Sequence, residues 1–198
     1  MLRGRVEFER LTISLLMLRP DAVQADDAAA AAQQDAHLSH LADLHQAGEL
    51  LAVGPVLGPP DRVLRGLGVY RAEPERVRLI GEEDPGVRAG RYSVVVAPWM
   101  IPGGAITFAT TRVPRSIAEA QTGIQFDRFS IALLVRGARA AELDGDDGRL
   151  QDAHMAHLAD LHQAGHLLAA GPISDKTYRG LSILRVEPDR ARELKEED

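Results

Sequence analysis

The alternation of apolar and polar positions divides the chain into short segments, and the order of those segments recurs. Leu11–Leu18 ("LTISLLML") is an aliphatic and β-branched run that stops before Pro20, the pattern of a buried strand. An Ala-rich approach then leads into "DAHLSHLADLHQAG" (35–48), whose apolar residues fall at helical spacing. The helix is expected to run through Ala47, with Gly48 at the left-handed position just past its end. A short apolar strand, Leu50–Val53, is closed by Gly54-Pro55. After a loop come a strand at Leu67–Arg71, a helix at 74–83 opened by Pro74, and a last strand at Arg91–Ala97 ("RYSVVVA"). Asp84-Pro85 ends the second helix, because a proline disfavours helical backbone in the residue before it.

Strand, helix, strand, strand, helix, strand is the βαββαβ order of the ferredoxin-like arrangement, a four-stranded antiparallel sheet with two helices on one face. The expected fold class is therefore α+β. The same order is written twice. "FERLTISLLML" (8–18) is answered by "FDRFSIALLVR" (126–136). "DAHLSHLADLHQAGELLAVGP" (35–55) and "DAHMAHLADLHQAGHLLAAGP" (152–172) differ at four of 21 positions. "RGLGVYRAEPERVRLIGEED" (65–84) meets "RGLSILRVEPDRARELKEED" (179–198).

The period is too long for a solenoid, so the repeat reads as a duplicated domain. The expected plan is a complete domain at 1–100, a Pro- and Gly-punctuated connector at 101–125, and a second domain at 126–198. That second copy ends before any counterpart of "RYSVVVA", and "AITFATTRV" (105–113) in the connector has the composition of a strand that could cover its open edge. Such sheets leave one face bare. Tandem ferredoxin-like domains can bury the two bare faces against each other, giving an intramolecular pseudo-dimer.

Composition narrows the function. The net charge is −6 and there is no basic run, which argues against nucleic acid and against anionic membrane surfaces as partners. The chain has no cysteine, so disulfides and thiolate metal sites are excluded, and a reducing compartment is expected. The apolar run at Leu11–Leu18 is too short to span a bilayer and is flanked by charges. A cytoplasmic location is the expectation.

Six of the seven histidines lie in the repeated helix, and His166 follows the second copy at once. At about 100° per residue, His37 falls in the apolar stripe with Leu41 and Leu44, aimed at the sheet, and His154 does the same in its copy. His45 and His162 lie at the edge of the stripe and read as packing residues; His40, His157 and His166 read as half-solvated. A histidine in the stripe needs a hydrogen-bond partner. A backbone carbonyl would make it a core residue, and a carboxylate would make it a site.

"HLSHLADLHQAGELLAVGP", followed by "EEDPGVRAG" and "VVVAPW", resembles the YCII-related (YciI-like) family. The resemblance covers residues 8–100 as one domain and 126–198 as a second, incomplete one. It implies a dimeric ferredoxin-like α/β fold related to muconolactone isomerase-like barrels. It also implies an active site made of a histidine and an aspartate, here His37 and Asp84, with His154 and Asp198 as counterparts. The best-understood relatives act on small cyclic or aromatic compounds without an added cofactor.

An imidazole oriented by a carboxylate is suited to proton transfer. The expected activity is therefore an isomerase or lyase step on a small molecule, with no cofactor and no metal. A metal site from His37, His40 and Asp84 is disfavoured, because the two imidazoles are about 60° apart on the helix and no HExxH pattern exists. The rival reading is a non-catalytic small-molecule-binding or assembly module of the same fold. Further homodimerisation is compatible with either. Trp99, in "PWMIP", is expected to line a pocket or to form a hydrophobic lid at the domain interface. The two sites are expected to be unequal, since Pro85 pins Asp84 whereas Asp198 is the last residue of the sequence.

Overall fold

A computed structural model describes residues 7–22, 26–59, 61–108, 111–135 and 147–196. The chain divides into two compact units. Residues 11–98 with 108–126 form the first, and the described parts of 1–10, 99–107 and 127–198 form the second. The strand ends at 8–10 and 99–102 fall in the second unit.

The first βαββαβ set consists of β1 (Phe8–Leu18), α1 (Asp27–Gln46), β2 (Leu50–Pro55), β3 (Leu64–Tyr70), α2 (Pro74–Glu83), the short α3 (Pro85–Arg88) and β4 (Tyr92–Pro102). The strands form one sheet in the order β2-β3-β1-β4, with β1 and β2 each antiparallel to β3. Leu41 and Leu44 from α1 and Val77 and Ile80 from α2 pack with Leu50 and Tyr70 of the sheet. Each such side chain removed from water contributes about 1.5–3 kcal/mol. Asp26 caps α1 by accepting the Ala29 N–H at 2.8 Å, and Gly48, at φ +77°, ends it. β4 runs on past Ala97 through Pro98. It tolerates the proline because it lies at the sheet edge, where a missing N–H costs no ladder bond.

The connector departs from expectation. The described residues of 105–113 form no strand; the Thr111 N–H turns back to the Phe108 carbonyl instead. Beyond it lies α4 (Ile117–Thr122), whose Ser116 cap accepts the Glu119 N–H at 3.2 Å. The segment spends its polar groups on α1. Arg115 reaches Asp43 at 2.7 Å and Gln46 at 3.0 Å, and the Ile117 N–H donates to Asp35 at 2.7 Å.

The second unit carries β5 (Ser130–Val135), α5 (Asp147–Gln163), β6 (Leu167–Pro172), β7 (Tyr178–Leu184) and α6 (Pro188–Glu196). Its sheet has three strands in the order β5-β7-β6. The internal register repeats that of the first sheet, with irregularities at Leu134/Val135 and Leu167/Ala169 matching those at Leu16/Met17 and Leu50/Ala52. Thr12 donates to the Ala72 carbonyl at 2.6 Å, and Ser130 donates to the Val186 carbonyl at 2.7 Å. Among the described residues no fourth strand pairs with the outer edge of β5. Trp99 is fully buried in this unit and bridges to Ile173, so it does not line the pocket beside His37. Among the described residues no helix is long and apolar enough to cross a membrane.

Candidate active site

Asp84 occupies a junction that its neighbours create. It closes α2 and caps α3, and Pro85 holds it out of helical backbone at φ −58°, ψ 129°. Its Oδ1 accepts the N–H of Gly86 at 2.8 Å and of Val87 at 3.3 Å. That leaves Oδ2 facing α1, where it meets His37 Nδ1 at 2.5 Å. The Gln33 side chain donates to the Pro85 carbonyl at 3.4 Å, a second tie between α1 and this corner. Both members of the pair are sheltered, with side-chain exposures of 18% for His37 and 7% for Asp84.

Burial pushes the Asp84 carboxyl up, but the His37 hydrogen bond, the His37 charge and the two backbone N–H groups outweigh it. The carboxyl therefore sits below its ordinary value and is ionised at neutral pH. An ionised Asp84 only accepts, so Nδ1 must carry a proton. Nε2 is then the ring nitrogen with an available lone pair when His37 is neutral.

His37 opens on a pocket of about 280 Å³ lined also by Gln33, Gln34, Gly86, Arg91 and Tyr92. None of these other five was singled out from the sequence. Gly86 is required there, since a Cβ would lie 2.6 Å from the Tyr92 ring. The "DPG" triplet was a usable signal for it. Arg91 and Tyr92 offer none, because they reach the pocket from the start of β4, some fifty residues from His37 in sequence.

The other histidines fall into different settings. His45 is held by backbone, with Nδ1 at 2.8 Å from the Leu50 carbonyl and Nε2 at 3.0 Å from the Thr111 carbonyl. His157 is not merely solvated; its Nε2 donates to the Leu194 carbonyl at 2.8 Å. His40 also departs from expectation, for its Nε2 is buried without a partner among the described residues. His154 is half-buried on α5, and its expected counterpart, Asp198, lies outside the described residues. Among the described residues no group of three or more His, Cys, Asp or Glu side chains is placed to hold a metal ion.

Comparison with known proteins finds a likeness over part of the chain. Residues 14–100 match the YCII-related domain. Both His37 and Asp84 lie inside that match. A solved structure of 5-chloro-2-hydroxyhydroquinone dehydrochlorinase from Burkholderia phenoliruptrix, in complex with 2,5-dihydroxybenzoquinone, is 25% identical. It covers 43% of this chain and 89% of its own, with a TM-score of 0.33. A heme-binding protein from Thermus thermophilus is 13% identical over 98% of this chain and 85% of its own, with a TM-score of 0.50. At that identity the likeness is one of fold, consistent with the two antiparallel sheets of a ferredoxin-like, dimeric α/β-barrel architecture. None of the curated proteins compared matches the chain.

Proposed function

We propose that the domain at 14–100 is a small-molecule enzyme in which His37 and Asp84 move a proton, without an added cofactor, on a cyclic or aromatic compound. The observation that carries this reading is the bond from His37 Nδ1 to a carboxylate whose other oxygen is already committed to Gly86 and Val87. A core histidine would be satisfied by a carbonyl, as His45 is.

In the proposed step, Nε2 takes a proton from an acidic carbon or hydroxyl of the substrate. The imidazolium so formed is stabilised by Asp84, which also prevents the ring from turning. The substrate's electron pair then either shifts along a conjugated system and is reprotonated from Nε2, an isomerisation, or expels a leaving group, an elimination. General acid–base catalysis of this kind supplies about 10²–10⁴-fold.

The proposal extends to architecture and to the second copy. We take the repeat as a duplication whose two sheets form an intramolecular pseudo-dimer in a cytoplasmic protein. His154 with Asp198 is taken as a vestigial counterpart, because Leu150 and Met155 on the same helix are exposed.

The test is a panel of lactones, enols and halogenated phenols, followed by NMR in deuterated water for isomerisation, elimination or C–H exchange. His37→Ala should lower the responding rate at least about 100-fold with the far-UV circular dichroism unchanged, while His154→Ala keeps most of it. Full activity in folded His37→Ala would make His37 a structural residue only.

A further inference from the structure

The pocket beside His37 holds a charge that the proton-transfer reading does not use. Among the residues lining it, Arg91 alone carries a permanent charge. Its backbone is fixed from both sides: the N–H donates to the Gly86 carbonyl at 3.1 Å, and the carbonyl accepts the Arg19 N–H at 3.1 Å. Its guanidinium carbon lies 5.6 Å from the centre of the Tyr92 ring, within cation–π distance. Among the described residues the Arg91 guanidinium makes no hydrogen bond or ion pair, and the residue is only half-buried.

The negative charge nearest in function is already spoken for. Asp84 does not line the pocket; its two oxygens are taken by His37, Gly86 and Val87. Asp35 is engaged by the Ile117 N–H. A guanidinium with no carboxylate partner among the described residues, on a residue that lines a pocket, suits a planar oxyanion.

We propose that the pocket selects an anionic ring compound, a carboxylate or an ionised acidic phenol, and that Arg91 is the residue that pairs with its charge. The ring then lies beside Tyr92, with its reacting position toward His37. Pairing with Arg91 also lowers the cost of the negative charge that grows on the substrate as His37 removes a proton. The catalytic meaning of this assignment rests on the proposed function; the binding preference does not.

The experiment measures equilibrium binding by calorimetry and ligand NMR for two matched pairs, 4-nitrophenolate against 4-nitroanisole and benzoate against benzamide. Proteins are the wild-type chain, Arg91→Gln, Arg91→Lys and His37→Ala, each checked for fold by circular dichroism. Wild type should bind at least one anion tenfold or more tightly than its neutral counterpart. Arg91→Gln should abolish that preference, Arg91→Lys should keep part of it, and His37→Ala should keep it. The phenolate and benzoate arms tell the two oxyanion classes apart. Wild type without a preference, including no measurable binding of either pair, overturns the proposal, and so does a preference unchanged in Arg91→Gln. Anion selectivity that survives alongside a full absence of His37-dependent turnover would sustain this assignment and remove the proton-transfer reading.

Discussion

Asp84 joins His37 across 47 residues of sequence, with its two oxygens divided between different tasks. Oδ1 caps α3 and Oδ2 holds the imidazole at 2.5 Å, so one carboxylate fixes a local turn and a contact between α1 and the end of α2. The pair's stability should consequently depend on acid. Asp84 titrates below its ordinary value in the folded chain, because the His37 bond, the His37 charge and two N–H donors overcome its burial. In the unfolded chain it titrates near about 3.9. Its contribution is thus fully present above that value and is lost as pH falls through the lower folded value. Urea midpoints measured across this acid range should fall less steeply for Asp84→Asn than for wild type.

The same variant should separate structure from chemistry. An asparagine can still cap α3 through its oxygen, but it presents N–H groups to His37 and favours the tautomer with the proton on Nε2. The lone pair needed at the pocket is then lost. Asp84→Asn is expected to cost about 1–3 kcal/mol of stability and at least about 100-fold in turnover, read by denaturation and by the rate on whichever panel compound responds.

Gly86→Ala should damage the pocket without replacing a charged group. The added methyl would meet Tyr92 Cδ2 at 2.6 Å and Asp84 Oδ1 at 3.2 Å. Either Tyr92 swings out of the pocket wall or the Asp84 cap lengthens. Overpacking of this kind costs about 1–3 kcal/mol. A thermal midpoint equal to wild type, with 4-nitrophenolate bound as tightly, would show that the corner is looser than its distances indicate.

His45 should be a matter of stability alone. Each of its ring nitrogens faces a backbone carbonyl, one following α1 and one on the segment that wraps α1. His45→Ala strands those carbonyls and is expected to cost about 1–3 kcal/mol. Faster proteolysis within 108–126, with turnover unchanged in the intact fraction, is the expected signature.

These positions also show how far the sequence could be read. The 3.6-residue period placed Leu41 and Leu44 in the core, and Pro74 and Pro85 framed α2 over 74–83 as found. Period alone put His37 on the buried stripe, whereas its partner came from the family resemblance, since nothing local to residue 84 reveals which helix it will face. The last strand is expected to end at Ala97, and β4 runs on through Pro98 because an edge strand accepts a proline. In the connector, Ser116 and Glu119 stand three apart at the start of α4 with their side chains on backbone N–H groups, a signal separate from the strand-like composition of 105–113. Arg91 and Tyr92 were missed for a different reason. A pocket wall assembled from α1, α3 and β4 has no period, and only tertiary structure brings it together.

The repeated Gly-Pro that ends each helix-plus-strand segment offers the last prediction, since identical residues stand there in unlike surroundings. Gly54, near the end of β2, has open space where a Cβ would project. Its counterpart Gly171 in β6 would place that Cβ 1.6 Å from the Met100 carbonyl oxygen and 2.7 Å from its carbon, a collision with backbone that no rotamer can relieve. The backbone concerned is the end of β4, which belongs to the second unit and bridges β6 through Trp99 and Ile173. Neither glycine has positive φ, so the two substitutions differ in space and not in conformational strain. Gly54→Ala should be neutral or stabilising by up to about 1 kcal/mol, through reduced freedom of the unfolded chain. Gly171→Ala must push residues 99–102 away from β6 and is expected to lose about 1–3 kcal/mol. It should also expose Trp99, whose side chain is fully buried in the wild type, to solvent. Trp99 is the chain's single tryptophan, so its emission maximum reports that displacement directly. Equal denaturation midpoints for the two variants, or an unshifted emission maximum in Gly171→Ala, would show that the end of β4 does not pack on Gly171.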